Sequence, residues 1–245
     1  MVLNIFFYSY FMTKDYNMSI TEHLEELVQR IGFSFIAFIF AFTIIFLNVK
    51  NIVNLLQVPA QGVKFLQLAP GEYFFTSFKI TLYTGFFISS PIFVYQLIRF
   101  AAPGLTQKEK QIIIPITLGG LFLFFLGVIF GYYILLPAAL SFFITYGADV
   151  IEPLWSFEQY CDFILLLLFS TGLAFEIPIV QILLSLFGIV SSKKMLGIWR
   201  YVIVLATILA AVLTPSTDPI TQTLFAAAVL LLYFSGVFIL VVIGK

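Results

Sequence analysis

Apolar residues run along this 245-residue chain in long blocks, broken only by short clusters of charge, proline and glycine. Crossing the roughly 30 Å hydrocarbon core of a bilayer takes about 20 apolar residues in a helix, so blocks of that length predict membrane spans. Six are found, at 29–48, 73–98, 112–136, 158–187, 199–213 and 220–243. The fifth is short: about 15 residues at 1.5 Å each cover about 22 Å, which requires a thinned bilayer or shielding by neighbouring helices. Counting it, the spans are even in number and both termini lie on one side, called the cis side below. The predicted class is all-α, a polytopic membrane protein with six transmembrane helices.

The segments between the blocks have patterns of their own. In "MSITEHLEELVQRI" Leu24, Leu27, Val28 and Ile31 follow the i, i+3, i+4, i+7 spacing of one helical stripe, Ser19 and Glu22 form a capping box, and the helix leads straight into the first span. The loop after the first span holds an amphipathic "NIVNLLQV" stopped at Pro59 and a Pro70-Gly71 turn, which predicts a folded cap on the membrane surface. A second long loop on that far side covers 143–157. Residues 1–17 are aromatic but too short to span. With no basic leader and no small-residue cleavage site they do not read as a signal peptide, and they are expected to be a poorly ordered tail or a misassigned start ahead of a single membrane domain over 18–245.

Composition agrees with the blocks and narrows the chemistry. The chain is 62% hydrophobic and 10% charged, with a mean hydropathy of +1.10, outside the range of soluble domains. Twelve basic and twelve acidic residues cancel, so no net field draws it to nucleic acid and the position of each charge matters more than the total. Lys14, Arg30, Arg99, Lys108, Lys110, Lys193, Lys194, Arg200 and Lys245 fall on the cis side and only Lys50, Lys64 and Lys79 opposite, which places both ends in the cytoplasm or its organellar equivalent. One cysteine, Cys161, rules out an intrachain disulfide, and one histidine, His23, leaves no His-based metal site or triad within the chain. No cofactor is implied.

Five polar positions carry candidate chemistry. Glu26 can pair with Arg30 one turn on, a contribution of a few tenths of a kcal/mol, and Glu109 can cap the third span from Thr106-x-x-Glu109. Both also lie on the cis side near a span, where two carboxylates could grip two guanidiniums, since the planar arginine fork bonds a carboxylate bidentately and stays charged. Glu176 sits about 11 residues, or roughly 16 Å, inside the fourth span, where a carboxylate costs about 3 kcal/mol and must face protein or water. Pro178 lacks the N–H that would bond the carbonyl of Ala174, so the helix is notched beside it. This position serves a structural hydrogen bond to a neighbouring helix, or a partner, substrate or proton. In "LTPSTDPITQT", Asp218 before Pro219 fits a helix N-cap, and Gln222 in the first turn of the sixth span is placed to reach into the same interior as Glu176.

Taken together, "HLEEL", "FFTSFK", "SSPIFVYQ", "APGLTQKEK", "FEIP" and "LTPSTDPITQT" resemble the TatC family, the multi-spanning receptor of the twin-arginine protein translocase, over residues 18 to the end. "YGADVIEPLW" and "LTPSTDP" are most like the cyanobacterial and plastid branch, so the resemblance implies a plastid thylakoid membrane, with bacterial plasma membrane and mitochondrial inner membrane as alternatives. It implies a concave bundle whose cis face reads the paired arginines of a signal peptide through Glu26, Glu109 and the aromatic Phe100. Glu176 and Gln222 match polar positions where the helix of a TatA or TatB partner docks, Pro59 falls in the far-side cap, and a homo-oligomeric receptor complex driven by a proton gradient is implied. Val28 and Gln111 depart from the pattern, standing where basic residues are usual. The competing reading is a proton-coupled small-solute transporter using Glu176, which predicts uptake by the purified chain alone and gives no reason for acidic residues on the cis face. An enzyme is not expected, because no second intramembrane acid, HExxH or nucleophile-base pair accompanies Glu176.

Overall fold

The computed structural model describes residues 20–104, 106–146, 154–213 and 218–243, apart from a few helix-end side chains, that of Glu109 among them. The first helix, α1 (Ile20–Leu47), runs unbroken from the amphipathic segment through the first span. After α2 (Val49–Gln57) and the short strand β1 (Lys64–Leu66), α3 (Glu72–Ala101) returns to the cis side. The third span is α4 (Gln107–Phe130) and α5 (Leu136–Tyr146), joined by a wide π turn over Gly131–Leu135. Strand β2 (Leu154–Ser156) precedes a fourth span in two pieces, α6 (Phe157–Ala174) and α7 (Ile177–Leu186). A short cis helix α8 (Ser192–Gly197), the fifth span α9 (Trp199–Leu213) and the sixth, α10 (Pro219–Ile243), complete the chain. Five of these spans are long and apolar enough to cross a bilayer. The fifth, at 15 residues or about 22 Å, is the short one. Residues 1–17, Ser19 and the tail after 243 lie outside the described residues.

Local chemistry explains why the apolar blocks stay helical across their prolines. Pro91 cannot donate to the carbonyl of Phe87, and the hydroxyl of Ser90 donates to that oxygen at 2.7 Å instead, so α3 continues through it. At the fourth span no such substitute is found among the described residues: the helix tightens, Glu176 N–H bonding Leu173 O at 3.1 Å, and restarts with Pro178 in the first turn of α7. The third and fourth spans approach closely because the third supplies glycines. A Cβ at Gly127 would stand 2.6 Å from the carbonyl oxygen of Thr171, closer than real Cβ contacts allow.

The far-side cap is folded and anchored. Val53 and Leu56 of α2 are buried, and two of the last carbonyls of that helix accept hydroxyls from spans three and four: Tyr132 to Leu55, whose oxygen also takes the N–H of Val58, and Tyr160 to Leu56, each hydroxyl at 2.7 Å. Strands β1 and β2 pair in parallel, Phe65 opposite Trp155, a small ribbon that hydrophobic patterning did not reveal. Packing is strongest between α1 and α3, between α4 and α6, and between α10 and both α7 and α9, so spans one and five lie toward opposite ends of an open, concave arrangement.

Candidate functional site

On the cis side the helix α1 presents His23, Glu26 and Arg30 at i, i+3 and i+7, and the end of α3 presents Gln96 and Phe100 at i and i+4, so two stripes face one another along one seam. The Glu26 carboxylate uses one oxygen only. Its Oε1 accepts from Arg30 Nη2 at 2.7 Å and from Nε at 3.2 Å, while Arg30 Nη1 donates to Gln96 Oε1 at 3.1 Å. Oε2 is buried and has no partner among the described residues. Beside it the rings of His23 and Phe100 stack with centroids 4.4 Å apart and planes within 13°. The Arg30 pair weighed from spacing is therefore formed, and it leaves half of the carboxylate's acceptor capacity open. Phe100 lies in the same seam. Glu109 follows in the first turn of α4, where Thr106 O accepts the N–H of Lys110 at 2.9 Å, but the Glu109 side chain lies outside the described residues.

The intramembrane notch is built differently. Glu176 lies at the junction of α6 and α7, half-buried, with its carboxylate against span three: a Cβ at Gly120 would come within 2.7 Å of Oε2. No hydrogen bond to this carboxylate is formed among the described residues. Five residues on, Gln181 of span four is buried at 5% exposure against span six, and neither amide atom has a partner among the described residues. A Cβ at Gly236 would overlap its oxygen. Gln222 does not join this group, which corrects the sequence expectation. Gly236 packs on Pro178 and Gln181, and Gln222 lies fourteen residues earlier on α10, about 21 Å toward the far side. There its amide reaches Thr207 O at 3.5 Å, tying span six to span five.

Two other residues have local structural roles. Asp218 is fully buried and caps α10, accepting from the N–H groups of Ile220 and Thr221 at 2.9 Å each and from the Thr221 hydroxyl. Pro59 lies in the 3-10 turn Val58–Ala60 that ends α2. Sequence reasoning did not single out Gln96, His23 or Gln181. The first two could have been found by laying the stripes of α1 and α3 side by side, and the third as a second strongly polar position, after Glu176, in an otherwise apolar run.

The family model for the Sec-independent protein translocase protein (TatC) matches residues 22–227. A tatC-like protein, ycf43, of Porphyra purpurea is 61% identical over 231 residues, covering 94% of this chain and 91% of that protein. The chain belongs to the TatC family. The Sec-independent protein translocase protein TatC of Synechocystis is 53% identical over 94% of this chain and 91% of its own length, and the chloroplastic TATC of Oryza sativa is 49% identical over 94% of this chain and 65% of its own. Among solved structures, a crystal structure of the twin-arginine translocase receptor TatC is 36% identical with a TM-score of 0.77, covering 91% of this chain and all of that one. This TatC-family chain is thus a component of the Sec-independent protein translocase, integral to the membrane. These comparisons do not favour the small-solute transporter reading.

Proposed function

We propose that this TatC-family chain is the receptor for twin-arginine signal peptides, with Glu26 and Glu109 taking the two arginines and Phe100, stacked on His23, forming the wall beside them. The observation that supports this most directly is the buried, unpartnered Oε2 of Glu26 at the cis end of a seam between two spans. A buried acceptor left open is unfavourable on its own and favourable once a donor arrives. A guanidinium contributes about 1.5–3 kcal/mol for each such charge-assisted bond, modest enough that docking stays reversible.

Once the arginines are docked, the apolar stretch of the signal lies along the bundle, and Glu176 holds the single helix of a TatA- or TatB-type partner. Its carboxylate has no hydrogen bond among the described residues to give up, and one such bond in lipid contributes about 0.6–2 kcal/mol. Further copies of the chain complete a receptor complex, and a proton gradient acting through recruited partners moves the folded cargo. The test is photocrosslinking of a twin-arginine precursor to the reconstituted chain. Crosslinks at the α1–α3 seam that vanish in Glu26→Ala plus Glu109→Ala are expected, and crosslinks that persist in that variant contradict the assignment. For the notch, Glu176→Leu should leave signal crosslinking nearly intact and reduce co-purification of TatA/TatB-type partners. Undiminished co-purification removes the docking role.

A further inference from the structure

The receptor reading leaves Arg30 without a task. Its guanidinium rests in a seat made by two helices, with Glu26 Oε1 accepting from Nε and Nη2 and Gln96 Oε1 accepting from Nη1, so three of the five N–H donors are used. The side chains of Arg30 and Glu26 are only 20% and 15% exposed. An ion pair along one solvated helix needs no second acceptor, yet here one arrives from α3, sixty-six positions away in the chain. A carboxylate and an amide oxygen converging on a partly buried planar fork are what would recognise an arginine of another chain.

We propose that Arg30 is a resident competitor: it fills the guanidinium seat formed by Glu26 and Gln96 until an arginine of a signal peptide displaces it, after which Gln96 serves the incoming fork as second acceptor. This rests on the reading of Glu26 as a receptor carboxylate and adds how that site is regulated. Exchange of one arginine for another means that the carboxylate is never left buried and bare, the state that would be most unfavourable. The long stem of Arg30, near the cis end of α1, lets its displaced charge swing toward the aqueous layer. Because the competitor opposes every incoming cation equally, it lowers the affinity for twin-arginine and twin-lysine peptides by one common factor and leaves the preference between them to the seat.

The experiment measures binding of a fluorescent synthetic twin-arginine signal peptide, and of its twin-lysine counterpart, to the full chain in lipid discs. Arg30→Gln should bind both peptides about fivefold tighter, the size of one partly exposed ion pair. Arg30→Lys, which keeps the charge and gives up the fork, should bind about twofold tighter. Adding Gln96→Leu to Arg30→Gln should return part of that gain, and adding Glu26→Gln should abolish it. If Arg30→Gln and Arg30→Lys bind no tighter than wild type while Glu26→Gln still weakens binding, the competitor role is overturned and the receptor reading stands. If Glu26→Gln binds as wild type does, the receptor reading falls and takes the competitor with it.

Discussion

Two carboxylates, the buried Glu72 in the far-side cap and the partly buried Glu26 in the cis seam, have opposite arrangements. Glu72, 4% exposed, is saturated: its Oε2 accepts from the N–H of Leu68 at 2.6 Å and of Ala69 at 3.0 Å, and its Oε1 from the N–H of Glu158 at 3.0 Å and the hydroxyl of Ser156 at 3.2 Å. It clamps the two far-side loops at the point where β1 meets β2. Glu26 has one oxygen engaged by Arg30 and the other open. A carboxylate whose acceptors are all filled by its own chain is a structural tie, whereas a buried vacant oxygen calls for a partner, which the proposed receptor role supplies from outside the chain. On the receptor reading proposed above, the difference separates the clamp that holds the far-side cap from the seat that an incoming arginine fills.

The sharpest way to break this comparison is to remove the clamp. Glu72→Leu leaves three backbone N–H groups without an acceptor and should lower stability by about 3 kcal/mol, read from thermal unfolding in detergent, with early proteolysis in the far-side loops. A loss under about 1 kcal/mol would mean that the clamp is not structural. Next in size is Asp218→Ala, expected to cost about 1–2 kcal/mol through the uncapped start of α10, with signal-peptide affinity unchanged. Gly120→Ala should cost about 1 kcal/mol, since the new methyl displaces the mobile end of Glu176, and should weaken partner association with little effect on signal binding. Smallest in stability is Glu26→Gln. Less than about 1 kcal/mol is lost, because the amide oxygen still accepts from Arg30 when the charge is gone, so its melting point should stay near wild type while its peptide affinity falls about tenfold or more. A large loss of stability in Glu26→Gln would place Glu26 with Glu72 as a structural tie.

Much of this was legible along the chain, for physical reasons. Lipid demands that backbone polar groups be satisfied within each span, so the apolar blocks fixed six helices and their order, including the short fifth. Asp218 before Pro219 follows from local capping rules, and the notch at Glu176 from the missing N–H of Pro178. Contacts between distant segments were not legible. The β1–β2 ribbon is only three residues per strand, too short for a period-2 pattern, and the Glu72 clamp joins residues more than eighty apart. Gln222 was misplaced for the same kind of reason: periodicity assigns a residue to a span but not its depth relative to a residue on another span. Arg30 was seen as a pair partner of Glu26, whereas the second acceptor on Gln96 needed the packing of α1 on α3.

The most direct measurement of the central claim is the ratio of affinities for twin-arginine and twin-lysine signal peptides on wild type and on Glu26→Gln plus Glu109→Gln in the same lipid discs. Carboxylate recognition of a guanidinium fork predicts a preference for arginine of about tenfold or more in wild type that falls to near unity in the double variant. A double variant that keeps the full preference for arginine would contradict the account.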